Sequence, residues 1–202
     1  MTIIFSVIAI LMGYLFGSIP MGYLVARLYG VDVTKVGSGR IGGTNVLRAA
    51  GPLAAGLTVL GDILKGLLPV YFVSFFGQPW VTALVASATV LGHNYSVFLG
   101  FKGGVGAGTA LGAIAGLSFP VALVAGLSGL VALAISRYAS ILSTTIAVLS
   151  LVGLVVAAWL EYIPYPYIAA GVLNLLLMFY ALRPNFARLR AGTERRIGQK
   201  SQ

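Results

Sequence analysis

The chain alternates between long apolar runs and short stretches rich in glycine, arginine and lysine. One of the apolar stretches contains 34 uncharged residues between Lys102 and Arg137, and Pro120 interrupts it. A membrane-spanning helix needs about 20 apolar residues, so this pattern predicts an all-α integral membrane protein. The clear runs are Thr2–Ala26, Leu53–Phe76, Trp80–Leu99, Ile141–Leu160 and Tyr165–Leu182.

Composition limits the domain organisation. The chain is 59% hydrophobic and 8% charged, with a mean hydropathy of +1.00, whereas about 25% of a soluble domain is charged. We therefore expect one membrane domain over residues 1–202, with a basic cytoplasmic tail at 183–202. Cysteine is absent, which excludes disulfides and thiolate catalysis.

The placement of positive charge predicts the number of spans. Lysine and arginine concentrate in the first loop and in the tail, and such segments normally lie in the cytoplasm. If both are cytoplasmic, an even number of spans must separate them. Four of the apolar runs named above already do so, and 103–136 must therefore add two short helices that turn near Ser118–Pro120. We therefore predict seven transmembrane helices, with the N-terminus outside and the C-terminus inside. Lys65 alone among the thirteen lysines and arginines then lies away from the cytoplasmic side.

The first glycine-rich loop reads VGSGRIGGTN, at Val36–Asn45. It contains the string G-x-G-x-x-G, which marks a dinucleotide site only inside a βαβ unit, and apolar helices flank it here. Glycines nevertheless let backbone N–H groups converge on an anion, and a following helix N-terminus favours phosphate. Ser38 and Arg48 would bind the phosphate, and Thr44 or Asn45 would cap the helix that follows. The alternative is a flexible interhelical turn.

A second basic turn follows the third span. His93 lies near the end of that span, and Lys102 leads into a further group of glycines. Both turns belong to the cytoplasmic face, so together they indicate a ligand with one or two phosphates. Three later glycines are expected to allow close helix packing instead: Gly106, Gly108 and Gly112.

Three further polar residues have two interpretations each. Asp62 and Lys65 stand at i, i+3 within span two, where a charge costs roughly 2.5–3.5 kcal/mol. They form either a structural ion pair or an acid and base that line a polar cavity. His93 is either a general base or a hydrogen-bonded structural residue. No cluster of His, Cys, Asp and Glu has metal-ligand spacing, so we expect no metal site.

Three motifs in this order, GSGRIGGTN, GDILKG and LGHNYSVFLGFKGG, resemble the bacterial acyl-phosphate:glycerol-3-phosphate acyltransferase (PlsY) family. The resemblance runs nearly the full chain and ends near Arg183–Asn185. It implies a seven-helix membrane enzyme that transfers a fatty acyl group from acyl phosphate to the 1-hydroxyl of glycerol 3-phosphate. The product would be lysophosphatidic acid, in the first acylation step of phospholipid synthesis. It also implies a bacterial inner membrane location, an active site facing the cytoplasm, no cofactor, no nucleic acid, and a soluble acyl-phosphate-producing enzyme as partner.

The resemblance also assigns roles to residues. Because acyl phosphate is already activated, catalysis would consist mostly of positioning and electrostatic stabilisation, with a substrate phosphate as proton acceptor. The catalytic positions would be Ser38, Arg48 and His93. The substrate-binding positions would be Gly37, Gly39, Arg40, Gly42, Thr44, Asn45, Lys102, Gly103, Gly104 and Asn185.

The chain departs from the family pattern at several of these motifs. Arg40 and Gly43 replace the usual Asn and Ala, and Val105 replaces a lysine that binds phosphate in the family. Ala181 and Leu182 stand where the family has two polar residues. A lost charged contact costs about 1.5–3 kcal/mol, and Arg40 would supply a replacement charge. A divergent enzyme, a paralogue with another phosphorylated acceptor and an inactive relative all remain open.

Two other functional classes compete with this interpretation. One is a transporter or channel for an anionic solute, with Asp62 and Lys65 in its path; the other is a non-catalytic lipid-binding membrane protein. A transport path predicts polar residues through both halves of the membrane. The polar residues here cluster on the cytoplasmic side apart from that pair, which favours an enzyme.

Overall fold

The computed structural model describes residues 2–199, and within that range the chain is helical and contains no strand. The all-α prediction is confirmed. A 3-10 turn at Val97–Leu99 follows the fourth helix. The α-helices are α1 Ile3–Ser18, α2 Met21–Leu28, α3 Gly43–Ser74, α4 Pro79–Asn94, α5 Ala107–Leu117, α6 Phe119–Ser136, α7 Ala139–Trp159 and α8 Tyr167–Arg190.

The predicted apolar runs coincide with helices, apart from local breaks. The first run divides into α1 and α2 at Ile19, because the ring of Pro20 disfavours a helical conformation in the residue before it. Helix α3 starts well before the predicted residue 53 and bends at Gly51, whose φ of 88° is outside the helical region. The uncharged stretch 103–136 does form two helices, and they meet at Ser118 as predicted.

Successive long helices alternate in direction. Helices α1 and α3 are antiparallel, since Phe5 stacks on Phe76 at one end while Lys65 reaches Ile19 at the other. Helices α3 and α5 are parallel, and a Cβ on Gly112 would overlap the carbonyl group of Ile63. Gly108 also lies close to α3, since a Cβ there would be 3.2 Å from Cβ of Asp62, so the expectation that these two glycines allow close packing is confirmed.

The helices form an outer and an inner set. Five segments are long and apolar enough to cross a membrane: Ile3–Leu28, α3, α6, α7 and α8. Helices α4 and α5 are shorter, with 16 and 11 residues. No residue of α5 is exposed, and 12 of the 16 residues of α4 are buried. Because other helices surround them, these two need not match the thickness of the lipid hydrocarbon.

The alternation gathers the basic segments on one face of the bundle. The α2–α3, α4–α5 and α6–α7 connections and the tail lie there, and we call this the charged face. It carries eleven of the twelve lysines and arginines that the structure describes, the twelfth being Lys65. Lys200 and the last two residues of the predicted tail lie outside the described residues.

Candidate active site

Both glycine-rich turns and the end of α8 surround one cleft on the charged face. Its volume is about 420 Å³. The structure thus brings together Arg40 from the first turn and Gly103 and Gly104 from the second, which are more than 60 positions apart in the sequence. The full lining is Arg40, Asn94, Tyr95, Gly103, Gly104, Tyr180, Ala181, Arg183 and Pro184.

Arg40 extends from its loop to α8 at the edge of this cleft. Its guanidinium donates to Oδ1 of Asn185 at 2.8 Å and to the carbonyl of Ala181 at 2.8 Å. Burial lowers the pKa of Arg40, the charge of Arg188 lowers it further, and Glu194 opposes both effects. An arginine stays protonated at neutral pH even so. Arg40 is therefore a fixed cation in the cleft wall.

Asn45 organises the first loop from within. Its buried Oδ1 accepts from the Ser38 N–H at 3.1 Å, and its Nδ2 donates to three backbone carbonyls. Those carbonyls belong to Val33 at 3.0 Å, Val36 at 3.1 Å and Arg40 at 2.9 Å. Asn45 does not line the cleft, so the geometry favours a role in holding the loop over direct substrate contact.

The expectation that Thr44 or Asn45 caps the following helix is wrong. Helix α3 already begins at Gly43, so the N-cap is Gly42, which has no side chain to make a capping bond. Thr44 is half-buried in the first turn of α3.

Gly37 and Gly39 shape the loop through their backbone conformation. Their φ values are 62° and 68°, a region that L-residues rarely adopt, so glycine is required there for the course of the loop.

Ser38 and Arg48 lie outside the cleft lining. The Ser38 side chain is exposed, and its Oγ accepts a long hydrogen bond of 3.4 Å from the Arg40 N–H. Arg48 donates to the carbonyls of Arg195 and Arg196 at 3.4 and 3.5 Å, while its Nε is buried without a hydrogen-bond partner. These weak contacts leave most of the hydrogen-bonding capacity of Arg48 unused.

The second turn is attached to His93. The His93 carbonyl accepts from the Gly104 N–H at 3.2 Å, and a Cβ on Gly104 would overlap Nε2 of the ring. The imidazole is buried and does not line the cleft, which favours positioning of the turn over proton transfer. Lys102 is exposed and also outside the lining. Gly106 immediately precedes α5 and has φ of 89°, a left-handed conformation that favours glycine at this position.

Asp62 and Lys65 form a buried ion pair behind the cleft. Their charged atoms are 2.9 Å apart, and Oδ1 of Asp62 also lies 3.4 Å from Nδ1 of His93. Lys65 donates to the Ile19 carbonyl at 2.7 Å, at the break between α1 and α2. Neither residue lines the cleft, so the geometry favours the structural interpretation of the pair.

The tail contributes to the site in a way that was not predicted from the sequence. The Glu194 carboxylate accepts from Nδ2 of Asn185 and from Nε of Arg188, both at 2.7 Å, and its side chain is only 7% exposed. Glu194 is the single acid in the basic tail, and this isolation was the available signal. It fixes the amide of Asn185 so that Oδ1 faces Arg40. The other unpredicted cleft residues are Asn94, Tyr95, Tyr180, Ala181, Arg183 and Pro184.

Known proteins resemble this chain over nearly its whole length. Residues 7–192 match the family model described as glycerol-3-phosphate acyltransferase. A relative of that name from Rubrobacter xylanophilus is 45% identical over 198 residues, which is 97% of each chain. Another, from Thermus thermophilus, is 44% identical over 198 residues, which is 98% of each chain.

Two crystal structures share the fold. Both are of PlsY (YgiH), described as an integral membrane glycerol 3-phosphate acyltransferase. The glycerol 3-phosphate form has a TM-score of 0.89 at 39% identity and covers 96% of each chain. The lysophosphatidic acid form has a TM-score of 0.87 at 38% identity and covers 96% of this chain and 95% of the other.

Proposed function

The chain belongs to the glycerol-3-phosphate acyltransferase family, and we propose on that basis that its acyl donor is an acyl phosphate. The protein is an integral membrane enzyme that acylates the 1-hydroxyl of glycerol 3-phosphate and produces lysophosphatidic acid. The donor, the residues that act on it and the side of the membrane on which they act are proposals.

The cleft between the two glycine-rich turns carries the proposal. Its volume of about 420 Å³ suits the polar parts of two small phosphorylated molecules, and it opens at the charged face. Two cations, Arg40 and Arg183, line it. Both substrates would bring phosphate to these cations, while the acyl chain of the donor stays among apolar helix surfaces.

The reaction needs little chemistry from the protein. The acceptor hydroxyl oxygen attacks the acyl carbonyl carbon and forms the new ester bond. The bond between that carbon and the phosphate oxygen breaks, and phosphate leaves with the electron pair. A substrate phosphate takes the hydroxyl proton, because among the described residues that line the cleft there is no carboxylate and no imidazole. Arg40 and Arg183 stabilise the negative charge that develops.

The predicted site residues divide into two groups. We assign substrate contact to Arg40, Gly103 and Gly104, and to Arg48 once a phosphate replaces its weak tail contacts. Asn185 lies outside the lining and would orient Arg40 through its Oδ1. Ser38 and Lys102 would take part at the cleft entrance, since both are exposed and close in sequence to lining residues. The remaining positions hold the two turns in shape: Gly37, Gly39, Gly42, Thr44, Asn45 and His93.

The membrane arrangement follows from the charged face. Lysine and arginine concentrate on the cytoplasmic side of membrane proteins, so the cleft would face the cytoplasm of a bacterial inner membrane. With α1 and α2 counted as one segment, the described helices form seven alternating segments, and each would then cross the bilayer, with the N-terminus outside. A soluble enzyme that produces acyl phosphate would supply the donor from the cytoplasm.

The decisive experiment uses purified protein in lipid vesicles with radiolabelled glycerol 3-phosphate. We expect labelled lysophosphatidic acid with palmitoyl phosphate and none with palmitoyl-CoA. Product from palmitoyl-CoA alone would contradict the proposed donor. Uptake of label into vesicles without any product would instead support the transporter alternative.

A further inference from the structure

An apolar loop closed by its own hydrogen bonds lies next to the cleft. Ser96 and Lys102 close it through an antiparallel bridge, and the Phe101 N–H donates to the Ser96 carbonyl at 2.8 Å. The Ser96 hydroxyl donates to the carbonyl of Ser18 at 2.6 Å, which fixes the loop to the end of α1. We call residues 96–102 the interface loop. Its geometry comes from its own hydrogen bonds, not from packing of its outer side chains.

The outer side chains of the interface loop are apolar and unburied. Phe98 is 59% exposed, Phe101 is 62% exposed and Val97 is 40% exposed, whereas Leu99 packs inward against α2. Phe101 has φ of 62°, a left-handed conformation that is unfavourable for a residue with a Cβ. A glycine at this position would avoid the strain, whereas Phe101 has an aromatic ring that points outward.

The surroundings of the interface loop identify what covers it. Leu99 packs against a buried cluster that includes residues of α2, and α2 exposes Leu24 and Leu28, so exposed apolar residues of the first span lie near the loop. By contrast, described residues 183–199, on the same charged face, expose no large hydrophobic side chain. The loop ends at the exposed Lys102, and a cation beside aromatic rings is typical of the boundary between lipid headgroups and acyl chains.

We propose that the interface loop inserts Phe98 and Phe101 into the headgroup boundary of the adjacent leaflet. Insertion holds the cleft at the depth of the lipid phosphates, because the residues on either side of the loop, Tyr95 and Gly103, line that cleft. An acyl phosphate dissolved in that leaflet can then present its phosphate without leaving the lipid. This last step rests on the proposed donor, whereas insertion itself does not.

The insertion is tested with tryptophan in the full chain. The two native tryptophans are replaced (Trp80→Phe, Trp159→Phe), and Phe98→Trp or Phe101→Trp is added as the sole fluorophore. The protein is placed in phosphatidylglycerol and phosphatidylethanolamine vesicles whose acyl chains carry bromine near the headgroup. We expect strong quenching of both probes and little quenching of a Thr193→Trp control in the exposed tail. Quenching of both loop probes no stronger than that of the control would overturn the proposal and favour a soluble protein partner.

Donor kinetics provide a second test. Phe98→Ser with Phe101→Ser should raise the KM for palmitoyl phosphate roughly tenfold, because two apolar side chains lose their burial in lipid. The KM for glycerol 3-phosphate should not change. Ile135→Ser is the matched control, since Ile135 is 82% exposed near the charged-face end of α6 and does not line the cleft. Equal donor KM values in loop variant and control would contradict the link to the donor.

The two tests also separate this proposal from the proposed function. If the unaltered protein transfers no acyl group from acyl phosphate, the proposed donor is wrong, and quenching still decides whether the loop inserts.

Discussion

Asn45 illustrates how one buried amide can hold a glycine-rich loop. The loop at Val36–Asn45 has little side-chain bulk, so its backbone groups need partners that neither helix nor sheet provides. Asn45 supplies one acceptor and two donors from inside and contacts four backbone groups. The resemblance to the family motif predicted substrate contact for Asn45. A sequence motif cannot distinguish this role from a structural one, because it does not reveal whether an amide faces a ligand or its own loop.

Replacing Asn45 tests this role at the level of stability. Asn45→Asp exchanges the amide donor for a second acceptor that faces three carbonyls. We expect a loss of roughly 3 kcal/mol or more in the free energy of unfolding, because each buried group left unpaired costs about 1–3 kcal/mol. Ser38→Ala is the matched control in the same loop, and its effect should stay within about 0.5 kcal/mol. Reversible unfolding in mixed micelles measures both, and equal effects would contradict the assignment.

We predict that Arg40 compensates for the missing lysine at Val105. Arg40 lines the cleft, whereas Val105 follows directly after Gly104 on the opposite turn and packs against apolar residues. Arg40→Asn should lower kcat/KM by about 10- to 100-fold, as expected when a charged contact worth about 1.5–3 kcal/mol is lost. Val105→Lys should restore most of that loss in the Arg40→Asn protein and add little when Arg40 is intact.

The four proteins of this double-mutant cycle decide whether the two positions serve one ligand. A coupling free energy above about 1 kcal/mol indicates a shared phosphate. Additive effects would refute compensation. Activity that appears only after Val105→Lys would identify a relative that has lost catalysis, which was one of the alternatives open from sequence.

At the scale of elements, hydropathy and charge predicted most helices correctly and their surroundings less well. The parity of spans between two basic segments required two helices in 103–136, and the structure has them on either side of Ser118. The buried position of α5 at the centre of the bundle was not predicted. A helix that is apolar on all sides is compatible with both lipid and protein neighbours, so hydropathy cannot distinguish them.

The ion pair in α3 links three elements to the second turn. Asp62 faces Lys65 and His93, and Lys65 contacts the α1–α2 break. The pair therefore helps to hold His93, whose carbonyl accepts the hydrogen bond from the Gly104 N–H. Asp62→Asn should destabilise the protein by about 3–5 kcal/mol, because a buried lysine then lacks its counter-charge. The double variant Asp62→Asn, Lys65→Met should recover part of that stability.

Activity separates the two consequences of that change. The double variant should still show reduced kcat, since His93 has lost the carboxylate that faces its Nδ1. Thr58→Val is the matched control on the same helix, because the Thr58 hydroxyl bonds only within α3, to the Ala54 carbonyl at 2.9 Å. Wild-type kcat in the double variant would show that the pair has no influence on the cleft.

At the scale of the whole molecule, the cleft lies where three separate segments of the chain converge on the charged face. Two of them were predicted from glycine and basic residues in the sequence. The third, the end of α8 with its tail, was anticipated only at Asn185, because no motif connects Glu194 to a site near Arg40. Local patterns identify candidate turns, whereas the folding back of the tail onto α8 is a tertiary contact without a local signature.

The final prediction concerns how the bundle sits in the membrane. Helix α6 has 18 residues and is about 27 Å long, close to the hydrocarbon thickness, whereas α5 has 11 residues and is about 16 Å long. The two helices meet at Ser118. The length of α6 should therefore place that turn at the outer face, although α5 alone is too short to reach it. The absence of cysteine allows single labels at Thr2, Ser118 and Thr193. A membrane-impermeant maleimide added to right-side-out vesicles should label Thr2→Cys and Ser118→Cys but reach Thr193→Cys only after permeabilisation. Labelling of Thr2→Cys and Thr193→Cys from the same side would contradict an odd number of membrane crossings. If the external maleimide does not label Ser118→Cys, α5 and α6 would instead form a re-entrant hairpin.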